Sequence, residues 1–184
     1  MSDLLHRASA ALLVIDVQER INAVMADQGH IPRLEVLVDA CRGLEVPVIS
    51  SEQYPQGLGS TVECLATALG DQPVSKLTFS CSRDDGLRGA IDASGRQQII
   101  VTGIETHVCV LQTVLDLLHL GFEVHVPHDA VNSRRLADKD WALHRMAAAG
   151  AVITSTESAL FELLERCDTA DFKTVAKLIK RIPV

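Results

Sequence analysis

Three residues whose side chains could together support nucleophilic chemistry follow apolar runs of the chain. Asp16 comes directly after the run ALLVI, Lys76 ends a weaker run, and Cys109 lies shortly after the run QIIVT. They supply an acid, a cation and a nucleophile. Near a helix N-terminus, the helix dipole and free N–H groups lower the pKa of a thiol, which favours a reactive Cys109. Taken singly, each has a structural explanation: a strand terminator, a solvated lysine or a small buried hydrophobe.

The apolar runs before these residues are typical of buried strands, because they are continuous and rich in β-branched side chains. The predicted strands are residues 11–15, 46–50, 72–75, 98–102, 123–126 and 151–154. Helical patterns alternate with them, at residues 31–44, 108–120, 136–149, 161–164 and 172–179. This alternation predicts βαβ units and a parallel sheet.

We therefore predict an α/β fold: one three-layer α/β/α domain over residues 1–184, with a six-stranded, Rossmann-like parallel sheet. Right-handed crossovers favour an order in which the first and fourth strands are neighbours. Ligands of such sheets bind at the carboxyl ends of the strands. The prediction thus brings Asp16, Lys76 and Cys109 to one edge of the sheet.

Composition argues against several classes of function. The 184 residues carry a net charge of −7, have no basic block and are only 3% aromatic, which disfavours nucleic acid as a partner. The first apolar stretch is far too short for a membrane span and has no signal-peptide pattern. The five cysteines are an odd number without a C-x-x-C pair, so we expect reduced thiols in the cytoplasm.

Common site signatures are absent from the sequence. No G-x-G-x-x-G follows the first or fourth strand, and no Walker A sequence or G-x-S-x-G elbow occurs. Histidines and cysteines do not show the spacing of a metal site, so we expect no metal and no cofactor.

The ordered motifs resemble those of the isochorismatase-like cysteine hydrolases, a family that includes nicotinamidases and N-carbamoylsarcosine amidohydrolases. The resemblance rests on D-V-Q from Asp16, on Lys76 with F-S from Phe79, and on G-I-E-T-x-x-C ending at Cys109. It covers residues 8 to 160. The segment E-Q-Y-P-x-G-L-G, which contains Tyr54, is similar to the YcaC-like and isochorismatase domain-containing branch. It holds no histidine, which disfavours a metal-dependent nicotinamidase. Leu77 departs from the threonine of many relatives.

The resemblance implies an Asp16–Lys76–Cys109 catalytic triad. It also implies a cis peptide bond between Ile104 and Glu105, and an oxyanion hole formed by the backbone N–H groups of Glu105 and Cys109. The residues that could contact substrate are Gln18, Gln53, Tyr54, Phe79, Thr106 and His107.

These residues would support a cofactor-independent cysteine hydrolase of a small amide-like molecule, which acts through a thioacyl-enzyme intermediate. One alternative is isochorismatase-type ether or ester cleavage. A second is a non-catalytic binding or scaffold domain, and a third is a redox protein that uses Cys81 with Cys109. The family resemblance and several helices with broad apolar faces predict a homo-oligomer.

Overall fold

The computed structural model describes residues 4–70 and 72–182. The strands are β1 Ala10–Ile15, β2 Val48–Gln53, β3 Val74–Lys76, β4 Gln98–Ile104, β5 Glu123–Pro127, β6 Val131–Asn132 and β7 Val152–Thr154. The helices are α1 Glu19–Asn22, α2 His30–Gly43, α3 Pro55–Leu58, α4 Glu63–Leu69, α5 Asp85–Ala93, α6 Leu111–His119, α7 Leu136–Ala148, α8 Thr156–Leu164 and α9 Ala170–Ile179. A 3₁₀ turn, Cys81–Arg83, precedes α5, and a π-helical turn, Thr106–Val110, leads into α6.

The strands form one parallel sheet in the order β3-β2-β1-β4-β5-β7. The predicted α/β class and the pairing of the first strand with the fourth are confirmed. The six predicted strands form this path, and in the described residues a short additional strand, β6, pairs with the end of β4 through Val131 and Asn132. Two residues are too short to give a periodic signal, so the sequence pattern did not reveal this strand.

The sheet is buried on both faces, as its apolar strands require. Along β1, Ala10, Leu12 and Val14 pack into a core with α2, α4, α8 and α9. Ala11, Leu13 and Ile15 alternate with them and pack into a second core with α5, α6 and α7. This alternation explains why β1 is apolar throughout, and why Asp16 is the first polar residue as the strand ends.

Gly103 allows β1 and β4 to lie close together where the polar residues begin. It pairs with Ile15, and its φ angle is +104°. A Cβ atom at this position would collide with the backbone carbonyl oxygen of Ile15. Position 103 therefore requires a glycine, because the end of β1, just before Asp16, lies directly against β4, just before the Ile104–Glu105 peptide.

A buried hydrogen-bond network around His30 ties the segment between α1 and α2 to the carboxyl edge of the sheet. The ring Nδ1 lies 3.2 Å from the side-chain nitrogen of Asn132, and Nε2 lies 2.9 Å from the side-chain oxygen of Asn22. The amide nitrogen of Asn132 can only donate, so Nδ1 accepts and Nε2–H donates, as in neutral histidine. Burial lowers the pKa of His30 to about 4, although the nearby Asp27 opposes the shift.

We expect His30 to make the fold less stable in mild acid. Its folded pKa of about 4 lies below the unfolded value of 6.5, so the unfolded chain binds the extra proton as the pH falls through this window. The stabilisation is complete above pH 6.5 and is lost toward pH 4. Urea unfolding at several pH values should show a smaller acid-dependent loss for His30→Gln than for the wild type. Exposed His119→Gln is the matched control, and an unchanged pH dependence in His30→Gln would contradict the prediction.

Candidate active site

The buried carboxylate of Asp16 is held by a hydrogen bond to each of its two oxygens. The residue directly follows β1, has a φ angle of +53° and is fully buried. Its Oδ1 accepts a hydrogen bond from the Ser51 hydroxyl at 2.7 Å, and its Oδ2 accepts one from the Lys76 ammonium at 2.7 Å. Its backbone N–H also donates to the Ser51 carbonyl. The carboxylate therefore holds one orientation.

Lys76 is the last residue of β3 and reaches past β2 to Asp16, which follows β1. Its Nζ donates to Asp16 at 2.7 Å and to the Gln53 side-chain oxygen at 2.6 Å. The carbonyl oxygens of Thr78 and Phe79 lie 3.1 and 3.3 Å away. The ammonium is buried, and these acceptors replace the water that it has lost.

Cys109 lies in the π-helical turn before α6, with 4% of its surface exposed. Burial raises the pKa of this thiol far above its ordinary value, the Asp16 charge raises it further, and Lys76 opposes the shift only in part. The pKa of Cys109 is therefore raised and not lowered as its position near a helix N-terminus predicted. Cys109 rests as a neutral thiol that feels the charge of the Asp16 carboxylate.

The segment between β4 and the π-helical turn carries a second buried carboxylate. The Ile104–Glu105 peptide bond is cis. Glu105 accepts hydrogen bonds from the Arg134 backbone N–H at 3.0 Å and from its Nη2 at 2.6 Å. Burial raises the pKa of Glu105, but the hydrogen bonds and charge of Arg134 outweigh it and hold the pKa below its usual value. Nothing in the sequence pointed to Arg134 as a site residue. It becomes a neighbour of Glu105 because β6 pairs with β4.

The side chains of Gln18 and Gln53 bind the protein itself. Buried Gln18 donates to the carbonyl oxygens of Gln53 and Gly59, at 3.1 and 2.6 Å, and accepts from the Gln53 N–H. Gln53 accepts from Lys76 and donates to the Leu77 carbonyl at 3.1 Å. These contacts show that Gln18 and Gln53 hold the strand ends and Lys76 in place. Their expected role in substrate binding stays a prediction.

The other predicted substrate contacts differ in their surroundings. Tyr54 and Phe79 are 52% and 54% exposed. His107 is partly exposed, and its Nδ1 lies 3.0 Å from the Ser133 hydroxyl. Thr106 is fully buried, and its hydroxyl has no hydrogen-bond partner. Tyr54 and Phe79 are therefore the predicted contacts most open to a small molecule.

Cys81 is connected to Asp16 through Ser51. Its Sγ is 3.7 Å from the Ser51 hydroxyl, which in turn donates to Asp16. Burial, followed by the Asp16 charge, raises the pKa of this thiol to about 11. Cys81 is therefore a fully buried thiol with low thiolate character, which weighs against the redox alternative.

The described residues show neither a metal site nor a membrane-spanning helix. Within residues 4–70 and 72–182, no three His, Cys, Asp or Glu side chains form a group that could hold a metal ion. No helix in these same ranges is long and apolar enough to cross a membrane. The expected absence of a metal and of a cofactor stays a prediction.

Comparison with known proteins identifies the family. Residues 10–158 match the profile of the Isochorismatase domain, so the chain belongs to that family. It is 36% identical over 177 residues to isochorismatase domain-containing protein 1 of Danio rerio, with 96% of this chain and 62% of that protein covered. The chain thus spans less than two thirds of this relative.

Solved structures confirm the fold and the predicted branch of the family. A structure described as the MAR1 ribonuclease of Caenorhabditis elegans aligns with a TM-score of 0.90 at 38% identity, covering 96% of this chain and 92% of that one. YcaC from Pseudomonas aeruginosa, solved with hexane-2,5-diol and covalent acrylamide, aligns with a TM-score of 0.87 at 26% identity, covering 98% and 97%.

Proposed function

We propose that the chain is a cofactor-independent cysteine hydrolase that cleaves the C–N bond of a small amide-like substrate through a thioacyl-enzyme intermediate. The observation that carries this proposal is the buried Asp16–Lys76 ion pair, with a distance of 2.7 Å, whose two charges both act on the buried Cys109 thiol. A thiol that rests beside a fixed carboxylate can lose its proton at the moment when it attacks.

In the first half of the reaction, Cys109 Sγ attacks the acyl carbon and its proton passes to Asp16. A C–S bond forms, and the electron pair of the C=O bond moves to oxygen. The backbone N–H groups of Glu105 and Cys109 bind this oxyanion, an interaction whose loss typically costs about 10²–10³ in rate. Asp16 then returns the proton to the nitrogen as the C–N bond breaks, and the amine leaves.

In the second half, Asp16 takes a proton from a water molecule, which attacks the thioacyl carbon. The C–S bond breaks, the acid leaves, and the proton on Asp16 returns to Cys109. Lys76 is held by Asp16, Gln53 and backbone carbonyl groups. Its role is to orient the Asp16 carboxylate and to balance its charge in the buried site.

The YcaC relative supports a nucleophilic site, because acrylamide bonds covalently to nucleophiles and is covalently attached in that structure. A thiol nucleophile favours acyl chemistry over the cleavage of a vinyl ether. Ether or ester hydrolysis of the isochorismatase type stays the alternative. A binding or scaffold role is weaker, because it requires neither a buried ion pair nor a thiol beside it.

The MAR1 relative carries a ribonuclease name, and RNA is therefore a second substrate class to test. A net charge of −7 opposes binding to a polyanion, and 3% aromatic residues give few surfaces for base stacking. We propose a small molecule as the substrate on these grounds. A homo-oligomer in the cytoplasm completes the proposal.

The test combines thiol mapping with a substrate screen. We expect acrylamide at neutral pH to modify Cys109 at least about tenfold faster than exposed Cys64, because Asp16 removes the proton as the C–S bond forms. Ammonia release from a panel of carboxamides and carbamoyl compounds should then be lost in Cys109→Ser and retained in Cys64→Ser. A Cys109 that reacts more slowly than Cys64 would refute the proposal. RNA cleavage that persists in Cys109→Ser would also count against it.

A further inference from the structure

Three large side chains stand in solvent on the two loops beside the candidate active site. Tyr54, Leu77 and Phe79 are 52%, 75% and 54% exposed, and we call them the apolar rim. They follow the neighbouring strands β2 and β3. Single exposed apolar residues are common on protein surfaces, but a group on adjacent loops is typical of a binding surface.

The loops that carry the apolar rim are fixed by the same groups that hold the ion pair. The Lys76 ammonium donates to the carbonyl oxygen of Phe79, and the Gln53 amide donates to that of Leu77. The backbone N–H of Tyr54 donates to the Lys76 carbonyl at 3.0 Å. A rigid apolar surface binds with little loss of conformational entropy, so this arrangement favours a ligand.

The loop that carries Leu77 and Phe79 is also linked to the backbone of the nucleophile. The segment that begins at Lys76 continues to Cys81, whose backbone N–H donates to the Thr113 hydroxyl at 3.0 Å. That hydroxyl donates to the carbonyl oxygen of Cys109 at 2.7 Å. The segment with Leu77 and Phe79 therefore runs from the ammonium to the helix that carries Cys109.

The charges of the site are balanced within the protein. Lys76 pairs with Asp16, and both side chains are fully buried. Arg134 pairs with Glu105 at 2.6 Å. A substrate carboxylate would have to compete with Asp16 or Glu105 for these cations, and each is held by several hydrogen bonds. The three side chains of the apolar rim themselves carry no charge.

We infer that the site takes neutral amides that carry an apolar substituent, and that Tyr54, Leu77 and Phe79 bind this substituent. The inference rests on the proposed function and adds the class of its substrate. The carboxamide reacts at Cys109, and the alkyl or aryl group lies on the apolar rim. Anionic substrates such as dicarboxylates are disfavoured.

A series of N-alkyl chloroacetamides tests the inference without a known substrate. In each reaction the Cys109 sulfur displaces chloride, a C–S bond replaces a C–Cl bond, and the thiol proton leaves through Asp16. From N-methyl to N-hexyl, we expect each added methylene to raise the alkylation rate of Cys109 about two- to fourfold, because the methylene is transferred from water to the apolar rim. N-chloroacetylglycine, which is negatively charged, should react more slowly than a neutral reagent of similar size.

Substitutions test whether the apolar rim causes the dependence of the alkylation rate on chain length. Leu77→Ala and Phe79→Ala should flatten the dependence of the rate on chain length. Trp141→Ala removes a side chain that is 75% exposed on α7 and should leave it unchanged. Equal rates along the series in the wild type would overturn the inference while leaving the proposed function intact. No alkylation of Cys109 by any reagent would refute the proposed function itself.

Sedimentation tests whether a second copy of the chain, instead of a ligand, covers the apolar rim. If Leu77→Ala and Phe79→Ala dissociate an oligomer while the dependence on chain length persists, the apolar rim joins subunits and the inference is wrong. An unchanged sedimentation coefficient together with a flattened chain-length dependence is the result that supports it.

Discussion

Asp16→Asn is expected to make Cys109 easier to deprotonate and yet to abolish turnover. After burial, the Asp16 charge is the largest contribution that raises the pKa of Cys109, whereas Lys76 lowers it. Without the carboxylate, Lys76 faces the thiol alone, and the pKa of Cys109 falls. Turnover falls by about 10²–10⁴, because the group that carries the proton to the leaving amine is gone.

Two measurements on Asp16→Asn check whether Cys109 becomes easier to deprotonate while turnover is lost. Alkylation of Cys109 by iodoacetamide is followed across pH, and hydrolysis is followed with whichever amide the screen identifies. The alkylation profile of Asp16→Asn should lie at lower pH than that of the wild type. Asp168→Asn, which changes an exposed carboxylate paired with Arg166, is the matched control. A profile that moves to higher pH would show that Asp16 does not interact with the thiol as the structure implies.

The sequence was sufficient to locate residues whose positions depend on strand ends. Continuous apolar runs identified β1 and β4, and the rule that ligands bind at the carboxyl ends of parallel strands then selected Asp16 and Cys109. Lys76 was found in the same way, although β3 has only three residues. This information is local, because a strand and the residue after it are contiguous in the chain.

Contacts between distant segments could not be read from the chain. Ser51 appeared to be an ordinary residue of a strand, and only the parallel pairing of β1 with β2 brings its hydroxyl to Asp16. Gln18 and Gln53 were polar residues near strand ends, which is equally typical of substrate contacts and of structural amides. Arg134 had no signal at all, since its partner Glu105 is 29 residues away in sequence.

The state of Cys109 shows a second limit of reading a sequence. Its position at the start of a helical segment predicted a stabilised thiolate, because helix dipoles and N–H groups are local features. Burial depends on the whole fold, and here it raises the pKa of Cys109. In the proposed mechanism a buried thiol needs a base, which gives Asp16 a role that a free thiolate would not require.

Lys76→Met is expected to be the most destabilising of the substitutions considered. It removes the ammonium from a fully buried ion pair and leaves the Asp16 carboxylate without its countercharge. Removing one partner of a buried pair typically costs about 3–5 kcal/mol. Total stabilities are about 5–15 kcal/mol, so urea unfolding should show the loss of a large part of the free energy of unfolding.

A double-mutant cycle separates the missing charge partner from lost packing. Asp16→Asn combined with Lys76→Met leaves a neutral amide beside an apolar chain of similar length, so the double variant should be more stable than the sum of the two single losses predicts. Arg83→Met removes a cation from a pair in which the arginine is 65% exposed, and its cost should stay below about 1 kcal/mol. If the losses of Asp16→Asn and Lys76→Met simply add, the two charges are not coupled. Lys76 would then contribute through packing, and its proposed role in orienting Asp16 and balancing its charge would have to be abandoned.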